Sequence, residues 1–275
     1  MSSRSHDEVR GAWEANAKWW SDYFQEGNDF HLQLVAPPVE ELLDVRSNQH
    51  VLDIACGNGS FSRRLVQLGA RVTAFDFSAP FIACAQELST DYEGSIVYHT
   101  IDATARDELL SLGEVRFDAA VSNMALMDME DLNELAACLP QLLKPGGRFV
   151  FSIMHPCFNN PDSRMTMEHE DRDGALVTTR TIRTRRYLSS FSAKGIGIAG
   201  QPVPQTYFHR PLSALLEPFL NAGFAITGLK ETAFKDAKGA RHPLSWDHFQ
   251  EIPPVLVVRL QHISQDHTKP TEEAT

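Results

Sequence analysis

The sequence predicts an α/β protein with a mostly parallel β-sheet covered by helices on both faces. Short apolar runs of strand length alternate along the chain with segments of helical periodicity. The runs are apolar throughout, which is typical of strands that are buried on both faces of a sheet. Polar residues directly follow several of these runs, and ligands of such sheets bind beyond the carboxyl ends of the strands.

Seven strands and four helices within this sheet unit are predicted from local patterns. After the first strand, Phe61, Leu65 and Leu68 repeat at helical spacing, and Gly69 is placed to end the helix. Ser78 is placed to cap the next helix. The predicted strands are 50–56, 70–77, 95–102, 117–126, a fifth that follows the turn at 145–147, 225–231 and 253–261. The predicted helices are 60–69, the segment after Ser78, 132–142 and 212–224.

Polar side chains stand at the ends of the first five predicted strands. In chain order they are Asp53, Asp76, Asp102, Asn123 and His155. Because the carboxyl ends of parallel strands meet at one edge of a sheet, we expect these side chains to lie around a common ligand site.

A glycine turn follows the first strand and limits the kind of ligand. Gly57 and Gly59 open a helix, so a ligand can approach the backbone closely. A dinucleotide fingerprint would place a third glycine at position 62, where this chain has Ser62. Asp53 lies just before the turn, where it would repel phosphates and attract a cation. The turn therefore favours a positively charged ligand, such as an ammonium or a sulfonium.

Two further carboxylates indicate a ribose and an amine on the same ligand. Asp76 follows Gly57 at close to the roughly 20 residues expected for an acid that binds ribose hydroxyls. Asp102, followed by Ala103, can accept a hydrogen bond from an exocyclic amine such as that of adenine. Together with a cationic amino-acid end, these features describe S-adenosylmethionine (SAM).

The motifs also resemble those of class I SAM-dependent methyltransferases of the small-molecule type. The stretch VLDIACGNGSFSRRL resembles the D-x-x-C-G-x-G signature, and VTAFDFS, IDAT, FDAAVSNMALMDM and LKPGGRFVFSIMHP follow in order over roughly residues 35–155. The resemblance implies a Rossmann-like fold and SAM as the cofactor. It implies these cofactor contacts: Asp53, Gly57 and Gly59 at the methionine part, Asp76 at the ribose, Phe77, Asp102 and Ala103 at the adenine, and Asn123 and Met124 near the ribose and methionine.

The N-terminal segment resembles a lid helix of such enzymes. Trp13, Trp20 and Tyr23 recur at roughly helical spacing. As lid residues, Trp20 is expected to close over the cofactor and Tyr23 to contact the substrate. The alternative for this aromatic stripe, and the favoured one for Trp13, is packing against the core.

His155 is the leading candidate for a general base, with His209 as a weaker one, because histidine titrates near neutral pH. The alternative for His155 is a structural hydrogen bond at the bend before Pro156. Met127 and Asp128 are candidate substrate contacts, although methionines in this stretch are equally consistent with core packing.

The chain is expected to comprise five segments. They are a helical lid (1–34), a SAM-binding core (35–155), a substrate-recognition insertion after strand five (156–210), a C-terminal completion of the core (211–263) and a flexible tail (264–275). The insertion is too long for an ordinary connection. It contains a predicted hairpin with its turn near Gly174, and a basic run at 180–186 that either pairs with nearby acids or binds an acidic acceptor.

Composition limits the remaining possibilities. The formal net charge is −11 over 275 residues, which disfavours broad contact with nucleic acid. The four cysteines show no zinc-ligand spacing and, with no signal-peptide or membrane-spanning pattern, predict a cytoplasmic protein without a metal. We expect O- or N-methylation of a small molecule by a monomer or homodimer. An RNA or protein methyltransferase, or a SAM-binding protein that does not methylate, are the alternatives.

Overall fold

A seven-stranded sheet forms the centre of the protein in the computed structural model, which describes residues 3–237 and 242–263. The strand order is β10-β11-β5-β4-β1-β2-β3, and β11 is the one strand of this sheet that runs opposite to the other six. The strands are β1 His50–Ile54, β2 Arg71–Asp76, β3 Ile96–Thr100, β4 Phe117–Asn123, β5 Leu143–Met154, β10 Phe224–Thr232 and β11 Val255–His262. The predicted seven-stranded, mostly parallel, Rossmann-like sheet is confirmed.

Helices cover both faces of this sheet. They are α1 Ser3–Phe24, α2 Ala36–Leu43, α3 Ser60–Gln67, α4 Ala79–Leu88, α5 Arg106–Leu110, α6 Asn133–Leu142 and α7 Leu212–Asn221. One face carries an apolar core that includes Leu109 of α5, Leu139 of α6 and Phe219 of α7. The other carries a second core with Val39 of α2 and Leu65 of α3. Burial of these side chains on both sides explains why the strand sequences are continuously apolar.

The element bounds differ from the predictions mainly at β5. This strand begins at Leu143 and includes the Pro145-Gly146-Gly147 segment that the sequence suggests is a turn before the strand. Gly147 is required there, because a Cβ atom would lie 2.8 Å from the carbonyl oxygen of Lys144. The other predicted strands are confirmed but end one to three residues earlier or later.

The insertion after β5 forms two small antiparallel sheets. The first pairs β6 Arg164–Arg172 with β7 Ala175–Arg183, and the predicted hairpin turn at Gly174 is confirmed. Gly174 has a φ of +80°, which favours glycine. The second pairs β8 Phe191–Gly195 with β9 Gln205–His209. The predicted tail at 264–275 lies outside the described residues.

Strand order places the ligand crevice next to β1. The chain leaves β1 towards β2 and β3 on one side and later returns to β4 and β5 on the other. Helices on the two sides therefore diverge at the carboxyl ends of β1 and β4, which is where open α/β sheets bind ligands. No helix within the described residues is long and apolar enough to cross a membrane.

Candidate functional site

A cavity of about 670 Å³ opens at this crevice. Its wall includes most of the residues predicted from the sequence: Trp20, Asp53, Gly57, Asp76, Phe77, Asp102, Ala103, Asn123, Met124, Met127 and Asp128. Gly59, Tyr23, His155 and His209 are not part of the wall. The structure therefore brings the residues at the ends of β1 to β4 together, and it separates the two candidate histidines from them.

The glycine turn at one side of the cavity combines left-handed backbone angles with contacts to the neighbouring strands β2 and β3. Gly57 and Gly59 have φ angles of +56° and +73°. Gly57 N–H donates to Asp76 Oδ2 at 3.0 Å. A Cβ atom at Gly59 would clash with the hydroxyl of Tyr98 on β3. Gly59 thus shapes the turn from behind, although it does not face the cavity.

Asp53 and Asp76 are both buried beside this turn. The Ser62 hydroxyl donates to Asp53 Oδ2 at 2.5 Å, and Ser78 N–H donates to Asp76 Oδ1 at 2.9 Å. Burial raises the pKa of Asp53 to about 7 and that of Asp76 to about 6. The shift at Asp53 is opposed by the Ser62 hydrogen bond and increased by the nearby Asp76 carboxyl. A bound cation would reverse part of both shifts, because it favours the charged carboxylates.

Asp102, which follows β3, also lines the cavity and contacts the N-terminal helix. Its carboxylate accepts hydrogen bonds from the backbone N–H and the hydroxyl of Thr104, at 2.8 and 2.7 Å. On α1, Arg10 Nη2 lies 2.9 Å and His6 Nε2 2.5 Å from Asp102 Oδ2. Burial alone would raise the pKa of Asp102, but the Thr104 hydrogen bonds and the His6 contact outweigh it and lower the pKa. Helix α1 therefore covers the end of the site that the sequence assigns to adenine.

The aromatic residues of α1 divide between the cavity and the surface. Trp13 and Trp20 both line the cavity, with ring centroids 5.9 Å apart, and Trp13 also contacts Phe81 at 6.0 Å. Tyr23 stacks on Trp19 at 5.1 Å and its side chain is 52% exposed. Trp20 thus faces the site as expected of a lid residue, whereas Tyr23 points away from it.

The insertion forms the remaining wall of the cavity, and this wall was not predicted residue by residue. Gly197, Gln205 and Tyr207 line it, and Asn16 of α1 fixes it in place. Asn16 Nδ2 donates to the carbonyl of Val203 at 2.8 Å, and Val203 N–H donates back to Asn16 Oδ1 at 3.0 Å. No local sequence pattern signals this contact, because the two residues are 187 positions apart.

The two candidate histidines serve other contacts. His155 is 2% exposed; its Nε2 lies 2.8 Å from Glu231 Oε1, and its Nδ1 accepts the N–H of Cys157 at 3.1 Å. Burial lowers the pKa of His155, although Glu231 opposes that shift. His209 Nε2 lies 2.8 Å from the carbonyl oxygen of Tyr187. Both histidine rings have hydrogen-bond partners, and neither lines the cavity. Their positions correspond to structural hydrogen bonds better than to a general base.

The basic run of the insertion pairs with acids of the same segment. Arg183 Nη2 lies 2.5 Å from Glu168, while Arg185 and Arg186 lie 3.2 and 3.3 Å from the carboxylate of Asp162. None of these arginines lines the cavity. This arrangement corresponds to the surface-pairing alternative.

Comparison with known proteins also indicates a methyltransferase. Residues 52–151 match the family model described as a methyltransferase domain. This region is a class I SAM-dependent methyltransferase domain. A solved structure of a SAM-dependent methyltransferase from Mesorhizobium loti has a TM-score of 0.65 and 29% identity to this chain, and the match covers 82% of this chain and 96% of the other.

Two curated relatives of the methyltransferase domain are O-methyltransferases. The malonyl-[acyl-carrier protein] O-methyltransferase of Pseudescherichia vulneris is 33% identical over 50% of this chain and 56% of its own. The ubiquinone biosynthesis O-methyltransferase of Alkalilimnicola ehrlichii is 28% identical over 58% of this chain and 62% of its own. The matches thus span somewhat more than half the length of these relatives.

Proposed function

We propose that this chain transfers the methyl group of SAM to a hydroxyl group of a small-molecule acceptor. In this transfer the S–CH3 bond breaks as the O–CH3 bond forms, S-adenosylhomocysteine leaves, and the hydroxyl proton is released to solvent. The observation that carries the proposal is the convergence of the glycine turn, Asp53, Asp76 and Asp102 on one cavity of about 670 Å³. That volume lies within the range of small-molecule and cofactor sites. The names of the curated relatives favour oxygen over nitrogen as the methylated atom.

The residues of the cavity fit SAM in chemistry as well as in position. Two buried carboxyls with raised pKa values beside the glycine turn are complementary to an ammonium and a sulfonium. Asn123 Nδ2 is buried without a hydrogen-bond partner and belongs to the cavity wall, so a donor is available to a bound ligand. In our proposal Asp76 holds the ribose, Phe77, Asp102 and Ala103 hold the adenine, and Asp53, Gly57, Asn123 and Met124 surround the rest. Gly59 shapes the turn behind Gly57.

The chain contributes positioning and exclusion of water. SAM, when bound, supplies a methyl group that is already activated for transfer. The protein then has to hold the acceptor oxygen in line with that group and keep solvent away. Trp13 and Trp20 of α1 cover the cavity and offer aromatic faces to a cation, an attraction worth roughly 0.5–2 kcal/mol. Met127 and Asp128 remain the proposed substrate contacts on the β4 side.

The segments have corresponding proposed roles. Residues 1–34 form the lid, 35–155 and 211–263 the SAM-binding core, and 156–210 the acceptor-recognition insertion. The four cysteines are free in the structure, in keeping with a reducing compartment such as the cytoplasm. Because Tyr23 points away from the cavity, our proposal for substrate contacts does not depend on it.

The proposal is tested by calorimetric titration with SAM and with S-adenosylhomocysteine. We expect micromolar binding of both, and a loss of about 100-fold in affinity for Asp76→Ala, which removes a charged acceptor from the site. Asp107→Ala, an exposed aspartate on α5, is the matched control and should bind normally. If wild-type protein binds neither compound, or if Asp76→Ala binds both unchanged, the proposed cofactor site is wrong.

A further inference from the structure

Among the described residues at the acceptor end of the cavity, the Tyr207 hydroxyl is a hydrogen-bond donor without an acceptor and Asp128 Oδ1 is an acceptor without a donor. Their assignment to the acceptor molecule rests on the methyl transfer proposed above. We propose that Tyr207 and Asp128 bind a single hydroxyl group of an uncharged acceptor molecule. In this subsite the Tyr207 hydroxyl donates to the acceptor's oxygen, and the Asp128 carboxyl accepts a hydrogen bond from the acceptor's O–H.

The first argument is the direction of a chain of hydrogen bonds behind Tyr207. It starts at Gly197, whose backbone N–H donates to Gln201 Oε1 at 3.0 Å. The amide nitrogen of Gln201 then donates to the carbonyl of Val203 at 2.6 Å and to Gln205 Oε1 at 2.8 Å. The amide nitrogen of Gln205 in turn donates to Tyr207 Oη at 2.8 Å. A backbone N–H can only donate and a carbonyl can only accept, so the orientation of both glutamine amides is determined.

This direction leaves the proton of Tyr207 available to a ligand. The phenol oxygen already accepts from Gln205, so its own O–H is the remaining donor. Within the described part of the chain, no residue accepts that proton. Gln201 and Gln205 are 6% and 3% exposed, so water does not compete for the chain of hydrogen bonds. Tyr207 is therefore a positioned donor at the cavity wall.

Asp128 supplies the complementary group. It lies in the short turn after β4, and its Oδ1 is buried with no hydrogen-bond partner in the part of the chain that the structure describes. Burial, and then the charge of Asp76, raises the pKa of Asp128 well above its usual value. Strand β9, which carries Tyr207, packs against the 126–128 turn that carries Asp128, and both side chains line the same cavity. A hydroxyl group both donates and accepts, so it satisfies both.

The charges around the subsite select against an anionic acceptor. Lys194 is the only lysine or arginine among the described residues of the wall, and its amine is exposed and lies 3.8 Å from Glu8 Oε2. His31 also lines the cavity, but burial lowers its pKa to about 4, so it is neutral at pH 7. A carboxylate or phosphate on the acceptor would lie near acidic side chains and would have no buried cation to pair with. Removing its negative charge from water would therefore be costly.

Gly197 keeps the subsite open. A Cβ atom at this position would lie 2.9 Å from Tyr207 Oη and 3.2 Å from Trp20 Cζ2. The indole nitrogen of Trp20 is itself buried without a partner, and it offers a second donor next to the same space. Gly197→Ala is therefore a steric probe that narrows the space between Tyr207 and Trp20.

The test measures initial rates with SAM and a fixed panel of uncharged alcohols and phenols, each beside its methyl ether and a carboxylate of similar size. We expect the hydroxyl compounds to be the substrates. Tyr207→Phe and Asp128→Leu should lower kcat/KM about 10-fold or more, mainly through the acceptor's KM, because each leaves a hydrogen bond unmade. Asp128→Asn keeps an acceptor oxygen and should retain more activity than Asp128→Leu.

Binding of S-adenosylhomocysteine by calorimetry is the second readout and separates this inference from the proposed function. We expect its affinity to stay within about twofold in the Tyr207 and Asp128 variants, since their effect is on the acceptor. Tyr92→Phe and Asp107→Asn are matched controls away from the cavity and should leave both readouts unchanged. Loss of S-adenosylhomocysteine affinity in either variant would overturn the inference by assigning these residues to the cofactor.

The remaining outcomes are also decisive. If wild-type protein binds SAM but methylates only the carboxylates, or none of the hydroxyl compounds, the assigned acceptor class is wrong. If hydroxyl compounds are methylated and both variants work within twofold of wild type, the subsite is wrong while the proposed function stands. Failure of wild-type protein to bind SAM would instead count against the proposed function itself.

Discussion

The two ends of the cavity are assembled in different ways. At the cofactor end, Asp53, Asp76 and Asp102 each come directly after or at the end of a strand of one parallel sheet. The sheet register fixes their positions, and Gly57 N–H links the glycine turn to Asp76 across two adjacent strands. At the acceptor end, the wall depends on contacts between α1 and the insertion, such as that between Asn16 and Val203.

The two ends of the cavity should tolerate amino-acid substitutions to different extents. The cofactor end depends on backbone geometry that only a few residue types satisfy, so it is recognisable in a sequence. The acceptor end depends on side chains such as Gln201, Gln205 and Tyr207, carried by an insertion outside the main sheet. Such a segment is able to change without disturbing the sheet, as loops on rigid scaffolds commonly do. We therefore expect substitutions at the cofactor end to affect folding and binding together, and those at the acceptor end to affect acceptor selection.

The largest expected effect comes from Gly59→Ala. Its φ of +73° strains any residue with a Cβ atom, and that atom would also clash with Tyr98. We expect a loss of about 3 kcal/mol in the free energy of unfolding, hence a Tm lower by roughly 6–12 °C, together with weaker SAM binding.

Gly94→Ala is a matched control for Gly59→Ala. Gly94 has a similar φ of +78°, but no atom lies within 4 Å of a Cβ at that position. This variant should lose about 1 kcal/mol, which measures the cost of the backbone conformation alone. Equal effects of the two substitutions would show that the contact with Tyr98 does not shape the glycine turn.

The sequence predicts the cofactor end well because its signals are local. An apolar strand, an acid and two glycines occur within ten residues, and the parallel sheet then determines where Asp53 and Gly57 lie relative to Asp76. The acceptor end is different: the partners of Tyr207 are set by pairing within an irregular segment, and periodicity does not specify such pairing.

For His155, the sequence predicts the position in the sheet but not the contacts of the side chain. Its place after β5 is predicted correctly, but its side chain contacts Glu231 on β10. Strand β11 lies between β5 and β10 in the sheet, and the sequence does not reveal this arrangement. Position at a strand end is therefore not sufficient for a role in the site.

A substitution of His155 tests that distinction. His155→Ala removes two buried hydrogen bonds and should cost about 2 kcal/mol, or a Tm lower by roughly 4–8 °C. Below the melting transition, we expect kcat within about threefold of wild type, since the ring does not line the cavity. A kcat reduced 100-fold or more in folded protein, with normal SAM affinity, would restore His155 as the general base.

A smaller effect is expected in the protons released on SAM binding. With pKa values of about 7 and 6, Asp53 and Asp76 together carry about one proton at pH 6.5. A bound cation lowers both pKa values, so SAM should release up to about one proton at pH 6.5 and almost none at pH 8.5. Calorimetry in buffers of different ionisation enthalpy measures this number. S-adenosylhomocysteine lacks the sulfonium charge and should release fewer.

The same two carboxyls affect the stability of the protein without SAM. Their pKa values are higher in the folded state than in the unfolded chain, so the folded state binds protons more tightly. Their contribution to stability therefore decreases as the pH rises from about 4 to about 7. Asp53→Asn should raise the Tm relative to wild type at pH 7.5 by a few degrees, about 2–6 °C, and much less at pH 4.5. A constant difference across this range would argue against the raised pKa of Asp53.

The smallest expected effect is that of Tyr23→Phe, which tests where the lid ends. Trp20 lines the cavity, but Tyr23, one helical turn further along α1, stacks on Trp19 and is 52% exposed. Loss of an exposed hydroxyl group costs little, so SAM affinity and acceptor KM should both stay within about twofold of wild type. Trp20→Phe is the comparison, because it removes a buried indole nitrogen that has no hydrogen-bond partner among residues 3–237 and 242–263. If Tyr23→Phe raises the acceptor's KM as much as Trp20→Phe does, helix α1 moves on binding so that its exposed end also reaches the acceptor.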